Sequence, residues 1–325
     1  MQSEYLGALD IGGTKIVASI AGRDGPLARV TAPTPKSGPR RALGDQCLAL
    51  LEQACRQCGI QPGDLARVGV ASCGPFLHVD GDIELVAPNI CGGQGGAADL
   101  PNDWTSVPLQ SVLRERHADA VIENDCVSAL IAERALGAVQ DEPNCVYVTW
   151  STGVGFGLCV DGRVLHGKNG NAGHAGHLLM SESSDALCGC GNRGDLEGLI
   201  SGRNIAAIGG RPAPELFDAA RRGEEPARSI AAGAARWFGR ALYNLTAALD
   251  VSVFVAGGSV WANHGDWLGP LAQREIASRF PALTEGVTIV PAGLEKWVAD
   301  IGAFCLVMPD DWIAHWRETQ PWLKA

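Results

Sequence analysis

Two hydrophobic periods alternate along the chain, and together they predict its elements. Residues 5–21 (YLGALDIGGTKIVASIA) place β-prone runs on either side of a polar, Gly-containing turn, and residues 145–160 (CVYVTWSTGVGFGLCV) do the same. Both are hairpin patterns. Their recurrence predicts two lobes, each opening with a hairpin whose turn faces the other lobe. Residues 42–58 carry apolar positions at helical spacing, and residues 126–138 predict a second helix, opened by the capping types Asn124 and Asp125. Residues 67–72 and 118–122 read as short buried strands. The stretch 89–103, rich in Gly, Pro, Asn and Asp, reads as a long loop of the kind that often carries function. Further on come a helix at 228–249, a strand at 251–256 ending in Gly257-Gly258, a strand at 287–290 and a closing helix from 295 to 307. The tail 309–325 holds three of the nine tryptophans and is expected to fold back on the body or cover a neighbouring subunit.

Strands alternating with helices make this an α/β protein, and in such sheets ligands bind where the strands end. A length of 325 residues with 46% hydrophobic content suffices for two lobes. The net charge of −10 disfavours nucleic acid or an anionic membrane surface as partner. No signal-peptide pattern and no membrane-length apolar run stands in the sequence, so a soluble, cytoplasmic protein is expected. The 11 cysteines, odd in number and scattered, read as reduced thiols rather than a disulfide framework.

Candidate chemistry gathers at the predicted strand ends. In Asp10-Ile-Gly12-Gly13-Thr14-Lys15 a carboxylate closes a buried strand and two glycines bare the backbone. Exposed N–H groups in a tight turn cradle phosphate oxygens, Thr14 or Lys15 adds a donor, and Asp10 can orient Mg2+ through water. An ordinary hairpin turn explains the same residues about as well. The second turn, Ser151-Thr152-Gly153-Val154-Gly155, repeats the device without a carboxylate, and the pair can grip one polyphosphate from both sides. Asp125, between strand and helix, is placed to orient a hydroxyl and take its proton, with Asn124 bonding a neighbouring hydroxyl. The plainer role for both is helix capping. His177, Cys188, Cys190 and Asp195 offer a ligand set for a structural Zn2+, against the alternative of a Gly-rich loop with two free thiols. Glycines 257 and 258 at a strand end allow a flat base or a phosphate to approach, or simply make a turn.

The ordered set LDIGGTK, CGP, APN, END, STGVGFG, a spaced histidine pair, CGCGNRGxLE and AGG resembles the ROK sugar kinases, from about residue 5 to residue 307. The resemblance implies a two-lobed, actin-like (ribonuclease H-like) ATPase fold with the nucleotide and sugar in the cleft. The lobes are expected at 1–122 with 300–325, and at 123–299. It implies ATP and Mg2+ as donor system, a sugar as acceptor and Asp125 as general base. Gly74, Asn89, Asn124, His174, His177 and Glu197 would line the sugar pocket. Asp10, Gly12, Gly13, Thr14, Lys15, Thr152, Gly153, Gly257 and Gly258 would serve the nucleotide, and His177, Cys188, Cys190 and Asp195 would hold zinc. A homodimer is expected, with no nucleic acid and no membrane as partner.

Two departures bear on the acceptor and the metal. His174 stands where the family motif usually has Glu, and Asp195 where it has its third zinc cysteine. The expected acceptor is a hexose or related sugar phosphorylated at O6. On account of His174, an N-acetylhexosamine or a less common sugar or polyol stands beside it. Polyphosphate in place of ATP lacks an evident basic track. A sugar-responsive regulator would carry a DNA-binding segment before the first hairpin, which here begins near Tyr5. A sensor that lost its chemistry would not need an intact Asp125 and two phosphate turns.

Overall fold

A computed structural model describes residues 5–92, 100 and 103–324. Strands β1 (Tyr5–Ile11), β2 (Lys15–Gly22), β3 (Gly25–Pro33) and β4 (Leu65–Ser72) are followed by β5 (Phe76–Val79), β6 (Asp82–Leu85), β7 (Val107–Pro108) and β8 (Val121–Asn124). The second half holds β9 (Cys145–Trp150), β10 (Val154–Val160), β11 (Arg163–Val164), β12 (Val253–Gly257) and β13 (Thr288–Pro291). Among the described residues these form two five-stranded sheets, ordered β3-β2-β1-β4-β8 and β11-β10-β9-β12-β13, and a ribbon β5-β6-β7. The two orders are one topology used twice. In each sheet three antiparallel strands lead into two that run parallel to the central one.

Alternation along β1 explains its place. Leu9 and Ile11 enter the core beneath the helix Ala42–Cys58, while Leu6 and Ala8 face the C-terminal helices. By the two-residue period Asp10 shares the face of Ala8, at the strand's open end. In β9, Val146, Val148 and Trp150 enter the core under the helix Ala227–Leu249, and Cys145 and Tyr147 face the helix Asp125–Ala135. That helix and Val298–Cys305 pack against each other between the sheets, close enough that a Cβ on Gly302 would stand 3.0 Å from the Ser128 backbone.

Most expected elements appear at or near their predicted places, among them the helix Ala42–Cys58 and both hairpins. The strand expected at 118–122 lies later, at Val121–Asn124, because 117–120 close a turn through the Ala120 N–H to the His117 carbonyl. The helix expected to 138 stops at Ala135, where the Glu133 side chain bonds the backbone N–H groups of Ala138, Gly293 and Leu294 instead. The loop expected at 89–103 opens with a helical turn, Pro88–Cys91, and its residues 93–99, 101 and 102 lie outside the described residues. The tail folds back on the body: Trp316 is fully buried and donates its indole N–H to the Arg23 carbonyl at 2.8 Å. No helix among the described residues is long and apolar enough to cross a membrane.

Candidate active site

Both Gly-containing turns open into the cleft between the sheets. The Gly12 N–H donates to the Lys15 carbonyl at 3.0 Å, and the Thr34 hydroxyl donates to the Gly12 carbonyl at 2.7 Å, so the end of β3 braces the first turn. Gly13 packs on the start of the helix Pro88–Cys91, where a Cβ would stand 2.7 Å from that of Asn89. The second turn closes through the Ser151 N–H to the Gly153 carbonyl at 2.9 Å, and the Val154 N–H donates to Glu197 Oε2 at 2.9 Å.

Between them lies the end of β8. Asn124 caps the helix Asp125–Ala135, its Oδ1 accepting from the N–H groups of Cys126 at 3.0 Å and Val127 at 3.3 Å. Its Nδ2 donor stays on the cavity side, 3.3 Å from where a Gly74 Cβ would be. Asp125 Oδ1 accepts from the Cys126 N–H at 2.8 Å, which holds the carboxylate at the mouth of the helix. Capping and cleft-facing roles thus coexist in this pair.

The cleft has two compartments. The larger, about 1240 Å3, runs past Gly257, Gly258 and Trp261 toward Lys296. The smaller, about 500 Å3, takes in both Gly-containing turns together with Gly74, Asn89, Asn124, His174, His177 and Glu197. Asp10, Asp125, Cys126 and Thr149 line both. The two compartments therefore meet at Asp10 and Asp125, and both Gly-containing turns lie on the smaller side of that junction.

Carboxylates at this junction are hard to ionise. Burial, then the charges of Asp125 and Asp300, raise the pKa of Asp10 to about 7, against the pull of Lys15 and Arg29. Burial also raises Asp125, opposed chiefly by the Cys126 N–H. Converging acidic groups that repel one another form a site a cation relieves, so Asp10 fits the expected Mg2+. Burial lowers the pKa of His174, which is neutral at neutral pH, and its Nδ1 lies 3.0 Å from the Asn171 carbonyl. A carbonyl only accepts, so Nδ1 carries the proton and Nε2 faces the cavity as an acceptor.

Beside the smaller compartment, single ligand atoms of His177, Cys188, Cys190 and Asp195 lie within 4.8 Å of one another. His177 Nδ1 is 3.1 Å from Asp195 Oδ2 and 3.6 Å from Cys188 Sγ, and Cys190 Sγ is 3.4 Å from the same Asp195 oxygen. Zinc bonds of about 2.0–2.3 Å at tetrahedral angles give edges of roughly 3.3–3.8 Å, so the set fits zinc with a small contraction. Asp195 keeps Oδ1 for the Gly198 N–H at 2.7 Å, which orients the other oxygen inward.

Every residue expected at the sugar or the nucleotide thus lines one of the two compartments, and the four expected zinc ligands cluster beside them. Lys36, Ser201 and Arg203 also line the smaller one. Lys36 and Arg203 belong to no Gly-containing turn or strand end, and Ser201 reads as the cap of the helix Gly202–Gly209, its hydroxyl accepting from the Asn204 N–H at 3.3 Å, so local pattern marks none of them as a cavity residue. Glu197 joins the cavity to the second turn, a contact between distant segments that no spacing could reveal.

The ROK family model matches residues 6–309. Over 268 residues the chain is 35% identical to an N-acetylmannosamine kinase of Escherichia coli O9:H4 (strain HS), which covers 79% of this chain and 84% of that one. The ROK hexokinase of Thermus thermophilus superposes with a TM-score of 0.72 at 32% identity, over 92% of this chain and 96% of that one. A ROK family glucokinase of Streptomyces griseus, solved with glucose and AMPPNP, superposes with a TM-score of 0.70 at 26% identity, over 93% and 98%.

Proposed function

Since the chain belongs to the ROK family, with its actin-like fold, and is an ATP-dependent sugar kinase, we propose that its acceptor is an N-acetylhexosamine, N-acetylmannosamine first, phosphorylated at O6 with Asp125 as general base. The likeness to an N-acetylmannosamine kinase over most of both chains carries this acceptor. His174 supports it. A neutral ring offers one acceptor and a flat face, where a carboxylate would offer charge and several acceptor sites. An acetamido group, with its own N–H and an apolar methyl, suits that wall better than a further bare hydroxyl.

The chemistry follows from the junction of the two compartments. Asn124 and His174 hold the sugar so that its O6 hydroxyl meets Asp125. As the oxygen attacks the γ-phosphorus in line, its proton passes to the Asp125 carboxylate, and the bond to the β-γ bridging oxygen breaks to release ADP. A pKa raised by burial makes the ionised Asp125 a stronger base than an ordinary aspartate. The backbone N–H groups of the two turns and Lys15 neutralise charge on the phosphates. Asp10 would hold Mg2+, which supplies charge neutralisation on the phosphate oxygens. Zinc, if held by His177, Cys188, Cys190 and Asp195, would brace the segment that presents His177 and Glu197 to the sugar.

A panel of glucose, mannose, N-acetylglucosamine and N-acetylmannosamine, with MgATP and a coupled assay of ADP release, tests the acceptor. N-acetylmannosamine is expected to give the highest kcat/KM, by at least about tenfold over glucose. A preference for glucose would end the acceptor assignment and leave the sugar kinase standing.

A further inference from the structure

The segment between β11 and the helical turn Ala175–His177 leaves the second sheet at Val164 and returns to it where the Phe156 N–H donates to the Gly173 carbonyl at 3.2 Å. On the way, the Asn171 side chain meets the Phe76 backbone twice. The Phe76 N–H donates to Asn171 Oδ1 at 2.8 Å, and Asn171 Nδ2 donates to the Phe76 carbonyl at 2.8 Å. This is the bonding of a strand pair, made by a side-chain amide across a separation of 95 residues. Phe76 is 2% exposed and belongs to the core of the first lobe, so the amide grips a rigid point.

The backbone carbonyl of Asn171 accepts from His174 Nδ1. His174 Nε2 then points at Gly74, two residues before Phe76: a Cβ there would stand 2.8 Å from Nε2 and 3.3 Å from Asn124 Nδ2. One acceptor and one donor thus converge on a wall whose two sides come from different lobes. Asn171 spans them, its amide on one side and its carbonyl on the other.

We infer that Asn171 is a positioning residue for acceptor selection: by gripping Phe76 and His174 together it fixes both the tautomer of His174 and the gap between His174 and Gly74. The inference rests on the sugar lying at this wall, as proposed above. Side chains locked by such supporting bonds hold a site to the tolerance that discrimination between similar ligands needs. A loosened wall would admit the wrong acceptor nearly as well as the right one.

Two measurements on Asn171→Ala test this, with Asn171→Ser taking its place should the alanine variant fail to fold. In the first, acceptor and ATP kinetics are compared with wild type. The acceptor KM is expected to rise about tenfold, the ratio of kcat/KM between best and second-best sugar to fall by a similar factor, and the ATP KM and kcat to stay within about threefold. Mere loss of folded enzyme would lower kcat for every sugar alike and leave both KM values and the ratio unchanged. In the second, histidine-labelled protein is read by long-range proton–nitrogen correlation without any sugar. Wild-type His174 is expected as the Nδ1–H tautomer and the variant as a mixture. A wild type in the other tautomer, or a variant with unchanged acceptor KM and sugar ratio, overturns the inference. A different preferred sugar in the wild type defeats only the acceptor assignment, since the same comparison is then run on that sugar.

Discussion

At the scale of single residues, Asp125 and Asp10 carry opposite demands. As the proposed general base, Asp125 would have to lose its proton to act, yet its burial favours keeping it. Asp125→Asn is therefore expected to cut kcat by about 10²–10⁴-fold with little change in either KM, as measured by coupled ADP release. Wild-type kcat/KM should fall as pH drops through the raised pKa of Asp125, and the residual activity of Asp125→Asn should lose that acid limb. Asp10 affects stability. Its folded pKa of about 7 lies above the unfolded value of 3.8, so the folded state binds the proton more tightly. The associated stability is full below the unfolded value and is lost as pH rises through about 7. Asp10→Asn removes that loss. Without nucleotide, its melting temperature should exceed wild type at pH 8 and match it near pH 4, and an equal gain at both would show that the Asp10 charge is not the cause.

At the scale of elements, hairpins and amphipathic helices were legible because period and turn chemistry are local. So was the pairing of Asn124 with Asp125, since caps and catalytic carboxylates favour the same strand-to-helix junction. Contacts made by one side chain across a long separation, such as Asn171 on Phe76 and Glu197 on Val154, leave no periodic trace. The segment around Cys188 and Cys190 lies between these cases. Its ligand types stand close in sequence, but only the fold brings His177 to them. Exchanging a thiolate for Asp195 would put a harder ligand on a borderline ion. Purified protein should hold about one zinc per chain by elemental analysis and lose it readily to EDTA, with a lower melting temperature. Asp195→Cys should retain zinc at chelator concentrations that strip wild type. Wild-type protein free of zinc after growth and purification in zinc-supplemented buffer would show that the Asp195–His177 hydrogen bond alone braces the segment.

At the scale of the molecule, the twofold use of one topology was foreshadowed by two similar hairpins, whereas the role of the C-terminal tail was left open between two alternatives. The family match ends at residue 309, and the helix Asp310–Thr319 with the turn Pro321–Lys324 follows it. This tail ties three places together. Trp316 packs on Phe304 of the closing helix with ring centroids 6.0 Å apart, and its indole bonds the carbonyl of Arg23 beside the β2–β3 turn. Arg317 Nε donates to the Ala135 carbonyl at 2.9 Å, at the far end of the helix that Asp125 begins. The tail thus fastens the first sheet and the helix of Asp125 to the closing helix, so removing its anchor should cost the whole fold rather than one end. Trp316→Ala is expected to lower the free energy of unfolding by about 3–5 kcal/mol, as for large aromatics deleted from a core. Trp312→Ala, at a partly exposed position of the same helix, should cost less than half as much. Urea denaturation followed by far-ultraviolet circular dichroism would read both. A single transition shifted to lower urea for Trp316→Ala identifies the tail as part of the cooperative unit, whereas an unshifted midpoint would mean that the buried indole adds nothing to holding the lobes together.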